Sequence, residues 1–410
     1  MILTVTEHEK INIGKVRDLS KKQISRSDVE SIRVIDINSR GIFKWGNRYI
    51  VPQQWVGVIS LPGLSIEILP KVAGAYNYSD LKEILLHMFN VGHNIPNKRN
   101  IKSKVDFSKN GLIEILISNY LENIDFYIRE GFVSTYSKVV RNISTVKGSI
   151  MFSKHINKNI LNPTRFVCKY SKLEVNNDIN KLFKYTLLEM KKISRDYENI
   201  KRLKTALVYF EEVSSLSTRQ FNEIKIQINA INSRISEIVE YSYLFLEGYS
   251  VSLSSGNKDV SSMLFDMNKI FEMFIFKSYR KIFGSRILYQ DGKNYLVTDS
   301  SKTTKKIKLR PDILIKTREG ANIVVDTKWK VTKKFAKESD VYQMNAYISA
   351  IPDVNTAILM YPKTTDSSSV VGNYIFNNES DGKELKIRAV DLMYVRDDKK
   401  FKEHLIELLE

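Results

Sequence analysis

LRPDILIKTREGANIVVDTKWK (309–330) is the stretch that decides the fold. Two apolar, β-branched runs flank a short turn containing Glu319 and Gly320, a pattern that predicts a β-hairpin. Asp312 stands at the start of the first strand. Asp326 and Lys328 stand two apart on the second. Strand geometry puts that pair on one face, about 7 Å apart along the chain. Val325, Thr327 and Trp329 then point the other way, and the hairpin brings Asp312 towards Asp326 and Lys328. Two close carboxylates repel each other and lose hydration. A hard divalent cation relieves both costs, and magnesium favours oxygen ligands while keeping several waters. Such an ion polarises a phosphoryl oxygen and acidifies a bound water. A lysine on the same face can orient that water or stabilise the developing charge. The pattern is therefore a logical phosphodiester-cleaving site.

The tripeptide Asp-x-Lys alone carries no weight. It recurs at Asp80-Lys82, Asp291-Lys293 and Asp381-Lys383, at a helix start and in glycine-containing turns. Only Asp326-Lys328 follows an apolar strand (Ile323, Val324, Val325) and has an aspartate on a paired strand. The competing structural reading is a surface ion pair at a strand end.

Working outward, MLFDMNKIFEMFIFKSYR (263–280) has a helical apolar stripe. Glu272 interrupts it, either at the edge of the stripe or aimed at a metal. Downstream, DVYQMNAYISAI (340–351) reads as a helix with Gln343 and Tyr347 on one side and Val341, Met344, Ile348 and Ile351 on the buried side. Gln343 facing the strand ends could hold a water or a phosphate; otherwise it is an ordinary exposed glutamine. TAILMYP (356–362) is a buried strand, and DDKKFKEHLIELLE closes the chain as a charged helix. Helix, strands, helix, strand is the pattern of a compact α/β domain over 263–410.

Residues 1–72 read as short strands and turns, with Leu64, Ile66 and Ile68 alternating along one strand. A helix follows with Ser79 as its N-cap, then a second over 111–133, then a turn plus strand at VKGSIMFSKHI (146–156). Residues 174–247 look almost wholly helical. The serine-rich SVSLSSGNKDVSS (250–262) breaks that pattern and reads as a boundary or mobile loop. The fold class is α+β: a β-rich and helical N-terminal domain (1–165), a helical region (166–262) and a C-terminal α/β domain (263–410).

Lys and Arg number 64 against 46 Asp and Glu, a net charge of +18. That excess points to a polyanionic partner, nucleic acid before others, although an AT-rich genome also inflates lysine. The single cysteine, Cys168, excludes an internal disulfide and a thiolate metal cluster, and is read as a packing residue. The N-terminus lacks a signal-peptide pattern, and no stretch nears the ~20 apolar residues of a membrane helix. A cytoplasmic protein with no membrane partner is expected. No Gly-x-x-x-x-Gly-Lys-Ser/Thr phosphate loop occurs, so any nucleotide-driven motor must be another polypeptide.

RPD…VVDTKWK…QMNAY resembles the PD-(D/E)xK nuclease signature. The wider arrangement resembles the McrC family, the nuclease subunits of McrBC modification-dependent restriction systems. VGVISLPGLSIEILPKV, LKEILLHMFNVG, VKGSIMFSKHI, NNDINKLFKYTLLEM and MNKIFEMFIF follow the family's order across residues 40–362. The resemblance implies a magnesium-dependent DNA endonuclease acting in phage defence. Its partner would be a McrB-like AAA+ GTPase hexamer that reads the modified cytosine. The N-terminal part would enter the partner's ring and stimulate GTP hydrolysis, and the nuclease domains could dimerise in the assembled complex. Carried over, Asp312 and Asp326 would be metal ligands, Lys328 the catalytic lysine, Gln343 the motif glutamine, and Glu272 the helix carboxylate that binds metal in some relatives. Thr327 replaces the commoner alanine of Asp-Ala-Lys and is expected to face the core. The alternatives are a stand-alone or DNA-repair nuclease, a non-catalytic activator of the motor, and a plain DNA-binding module.

Overall fold

The computed structural model describes residues 1–36, 41–75, 77–93, 111–224, 226, 235–253, 259–301, 304–317, 320–330, 336–364, 371–377 and 382–410. They group into two compact units: Met1–Leu116 together with Glu247–Glu410, and Ile117–Leu246. This differs from the three consecutive domains expected. Residue 165 falls inside the second unit, and residue 262 falls inside a strand of the first.

The first unit opens with β1 (Ile2–Thr6), β2 (Ile11–Gly14), β3 (Gln23–Ser25), α1 (Arg26–Asp36), β4 (Phe43–Trp45), β5 (Tyr49–Pro52), β6 (Trp55–Leu61), β7 (Leu64–Leu69) and α2 (Tyr78–Gly92). β2 to β5 form a four-stranded sheet in the order β3-β2-β5-β4. Alternation in β7 suggests one wet face, but Glu67 is buried as well: it pairs with Lys82 at 3.1 Å and accepts from the backbone of Leu112 at 2.7 Å. The N-cap of α2 is Asn77, not Ser79. Asn77 is extended and its side chain accepts from the Asp80 amide at 2.9 Å, whereas Ser79 already lies in the first turn.

The second unit contains most of α3 (Leu112–Glu130), then β8 (Thr135–Ile143), β9 (Ser149–Ile150), α4 (Phe152–Asn159), β10 (Phe166–Glu174), α5 (Asp178–Ile193), α6 (Tyr197–Tyr209), α7 (Thr218–Glu223) and most of α8 (Ser236–Gly248). The long antiparallel pair β8–β10 is absent from the sequence reading. Half of its residues are exposed and only Val167 and Cys168 are buried, so no alternating apolar signal marks it. Its neighbour at 146–156 is one short strand followed by a helix. Cys168 is fully buried on β10, as a packing residue should be.

The first unit resumes with β11 (Tyr249–Leu253), β12 (Asp259–Asp266), α9 (Met267–Phe283), β13 (Ile287–Tyr289), β14 (Tyr295–Thr298), β15 (Lys305–Lys308), β16 (Ile313–Lys316), β17 (Asn322–Thr327), α10 (Glu338–Ala350), β18 (Val354–Pro362), β19 (Gly372–Ile375), β20 (Glu384–Val390) and α11 (Asp398–Glu407). The serine-rich stretch is not a linker. β11 and β12 extend the N-terminal sheet in the order β1-β7-β6-β12-β11. Gly57 on β6 permits this. Its φ is +135°, and a Cβ there would lie 1.9 Å from the Met263 carbonyl oxygen. β12 runs directly into α9, which starts at Met267 rather than 263, with the Asp266 side chain accepting from the Asn268 amide at 2.9 Å. The predicted C-terminal α/β layer is present as a six-stranded sheet, β13-β16-β17-β18-β20-β19. α10 packs on it through Met344, Tyr347 and Ile348. Among the described residues, no helix is long and apolar enough to cross a membrane.

Candidate active site

β16 and β17 pair antiparallel, with Ile313 opposite Val325. One step beyond, Asp312 lies across from Asp326, so the ladder sets the two carboxylates side by side. Glu319 of the predicted turn lies outside the described residues. Gly320 has φ +89°, and the Thr317 amide donates to the Ala321 carbonyl at 3.0 Å, closing the hairpin.

Asp326 is fully buried at the end of β17. Lys328 Nζ lies 2.5 Å from Asp326 Oδ2, yet neither Asp326 oxygen has a well-directed hydrogen bond among the described residues. The contact is a charge pair rather than an aligned bond. Burial, then the charge of Asp312, pushes the Asp326 carboxyl up to about 7 against the opposing pull of Lys328. Burial also raises Asp312, against the hydrogen bonds from Thr327 and the nearby ammonium. Burial opposes the charge on Lys328, but Asp326 and Asp312 outweigh it and its pKa rises.

Thr327 is buried, as expected, but its side chain turns to Asp312 rather than away from it. Its backbone amide donates to Asp312 Oδ2 at 2.8 Å and its hydroxyl donates to the same oxygen at 2.9 Å. That saturates Oδ2 and fixes the carboxylate plane, leaving Oδ1 without a hydrogen bond among the described residues. An alanine would keep only the amide contact.

Gln343 faces the strand ends, one of the two placements its position on the helix left open. Its Oε1 accepts from Lys328 Nζ at 3.2 Å, and its Nε2 donates to the Tyr347 hydroxyl at 2.7 Å. Tyr347 in turn donates to the Arg310 carbonyl at 3.0 Å. Tyr347 is thus both buried and on the Gln343 side, while Val341, expected in the core, is only half-buried. The chain from Arg310 to Lys328 holds the ammonium from the side opposite Asp326.

Glu272 is brought to the edge of the site by α9. Burial and then the charge of Asp312 raise its pKa, and Gln290 Nε2 donates to its Oε1 at 2.8 Å. Among the described residues, no three His, Cys, Asp or Glu side chains group closely enough to hold a metal ion by themselves. Glu272, expected as a third ligand, adds negative charge near Asp312 without completing such a set.

Other supports escaped the sequence reading. Lys330 pairs with Asp340, which also accepts from the Tyr361 hydroxyl at 3.1 Å. Trp329 stacks edge-on against Phe271, and its indole N–H donates to both oxygens of Glu7, at 3.1 and 2.9 Å. Glu7 is fully buried just past β1. Burial pushes its pKa up to about 8, against the hydrogen bonds from Trp329 and the Lys71 amide. Trp329 and Lys330 stand in the VVDTKWK motif, but nothing local marks Glu7, whose partner lies 322 residues away.

Among the described residues, the cations paired with the carboxylates of Glu272, Asp312, Asp326 and Asp340 are Lys328, on Asp326, and Lys330, on Asp340. Two adjacent carboxylates with unbonded oxygens, in an acidic and largely buried setting, match the donor set of a hard divalent cation. Fold and site together define a mixed α+β protein whose C-terminal sheet carries a carboxylate–carboxylate–lysine centre. Residues 50–362 match the family model of the McrBC 5-methylcytosine restriction system component, and the chain belongs to that family. The fold agrees with a solved half-complex from the tetradecameric assembly of Thermococcus gammatolerans McrB AAA+ hexamers with bound McrC. That match covers 100% of both chains at 16% identity, with a TM-score of 0.64. A cryo-EM structure of the Thermococcus gammatolerans McrBC complex matches 68% of this chain and 87% of its own at 18% identity, with a TM-score of 0.52. No curated protein matches the chain.

Proposed function

We propose that this chain is the McrC-like endonuclease subunit of an McrBC-type restriction complex, hydrolysing DNA phosphodiester bonds and stimulating a McrB-like AAA+ GTPase. The observation that carries the reading is the buried Asp326, contacted by Lys328 through Oδ2 and with Oδ1 free of hydrogen bonds among the described residues, set beside an Asp312 locked by Thr327. Asp312 and Asp326 would hold a magnesium ion, with water and phosphate oxygens filling its remaining positions. When bound, the ion supplies Lewis-acid stabilisation and a more acidic water.

The remaining work falls to the chain. Lys328 orients the attacking water or balances charge on the phosphoryl oxygens. Gln343 keeps the ammonium directed into the site, and Thr327 keeps Asp312 in plane. The partner contact is proposed on the second unit, where Tyr136, Phe152, Ile156 and Leu161 are exposed on and beside the β8–β10 pair. Apolar groups so placed suit burial in another protein. The family match, the full-length agreement with the McrBC assembly and the absence of a phosphate loop support this division of labour.

The test is a complex reconstituted with a McrB-like AAA+ GTPase from the same source. Asp326→Asn should lower DNA cleavage by about 10³-fold or more, a loss on the scale of removing an essential electrostatic group, and leave GTPase stimulation within twofold. Cleavage that survives the substitution overturns the site. Wild-type stimulation without any cleavage identifies the chain as a non-catalytic activator.

A further inference from the structure

The two-stranded ribbon β14–β15 belongs to neither large sheet of the first unit. It is an excursion from the catalytic ladder, leaving after β13 and returning at β16. Its roots are fixed. The Gln290 amide donates to the Asp312 carbonyl at 3.1 Å, and the Leu309 amide donates to the Asn294 carbonyl at 2.9 Å. Gln290, a non-glycine residue at φ +43°, turns the chain out of the sheet while its side chain holds Glu272. The ribbon therefore grows from the backbone of Asp312 itself.

Its composition is one-sided. Lys293, Lys305, Lys306, Lys308 and Arg310 are all exposed, and none joins an ion pair among the described residues. Lys305 only stands over the Tyr295 ring, at 5.6 Å. Asp299, the acidic residue within the ribbon, already accepts from the Ser301 amide and hydroxyl. Val297 and Ile307 are exposed too, 47% and 61%. An isolated two-stranded ribbon is marginal in water, so this one has more to gain from a ligand than from its own packing.

We infer that β14–β15 is a DNA clamp: its lysines grip the backbone of the duplex flanking the bond to be cut. The inference rests on the proposed nuclease reading and adds the surface by which substrate is held. Four residues at about 3.3 Å each span about 13 Å, roughly four base-pair steps at about 3.4 Å each along a strand. A two-stranded ribbon is also an element that the major groove admits. Phosphate contact fixes register on the duplex without reading sequence.

The test uses the assembled complex, a 40-bp labelled duplex, and the variant Lys305→Ala/Lys306→Ala/Lys308→Ala. Binding is measured in calcium across a range of salt concentrations, and cleavage in magnesium. The variant should bind about tenfold more weakly at 0.1 M salt. Its slope of log affinity against log salt should be shallower by about 2 to 3, since each lost phosphate contact removes about 0.9. Cleavage at saturating DNA and GTPase stimulation should stay within twofold of wild type. An unchanged salt slope overturns the clamp whether or not the wild type cuts DNA. A shallower slope in a complex whose wild type never cuts supports the clamp and overturns the nuclease reading.

Discussion

Thr327 shows how much one hydroxyl can decide. Spacing alone turned it away from Asp326 and Lys328, and that inference assumed that β17 stays regular through residue 328. The strand ends at Thr327, so its side chain is free to reach across to Asp312. A hydrogen bond to a charged acceptor contributes about 1.5–3 kcal/mol. Thr327→Val keeps the shape and removes the bond. It should reduce cleavage about tenfold and weaken manganese binding measured by calorimetry. Thr327→Ser should restore both to within about threefold. Equal loss in both variants would reduce Thr327 to a packing residue.

At the level of elements, the hairpin of β16 and β17, α9, α10 and β18 were legible because their signals are local: period-two runs, a helical stripe, a turn glycine. Asp312, Asp326 and Lys328 fall together as the hairpin pattern predicts, and Gln343, left open by the sequence, joins them through Lys328. What could not be read depends on remote partners. The serine-rich β11–β12 pair carries little apolar signal and is a strand pair because β6 lies open beside it. The opening is Gly57, whose missing side chain admits the Met263 carbonyl. Gly57→Ala should push β12 away, cost more than about 2 kcal/mol of stability and loosen the start of α9. Chemical denaturation measures the first effect. Hydrogen exchange over 259–275 should report the second, and unchanged protection there would show that β12 docks without needing the close approach.

For the whole molecule, the boundaries were the least legible feature. A unit built from the two ends of a chain leaves no compositional mark, since both halves are ordinary mixtures of helix and strand. Glu7 and Trp329 are 322 residues apart, yet share one hydrogen-bonded contact inside that unit. Glu7 binds its proton more tightly folded than unfolded, with its pKa raised from 4.5 to about 8. Its contribution to stability is therefore full below about pH 4.5 and is lost as pH climbs through about 8, by up to about 1.4 kcal/mol per unit. Glu7→Gln cannot ionise. Denaturant midpoints at pH 5, 6.5 and 8 should show the variant gaining on the wild type with each step. Parallel pH profiles would mean that Glu7 does not titrate in that window.

The same pairing orders events in time. A ribosome delivers Glu7 322 residues ahead of its indole partner, so that carboxyl stays in water while all of the intervening chain is made. Products of premature termination before Trp329 never seat it, and they lack Asp312, Asp326 and Lys328 or the shell around them. A product of that kind keeps neither the buried Glu7 contact nor the carboxylate–carboxylate–lysine centre with its supports.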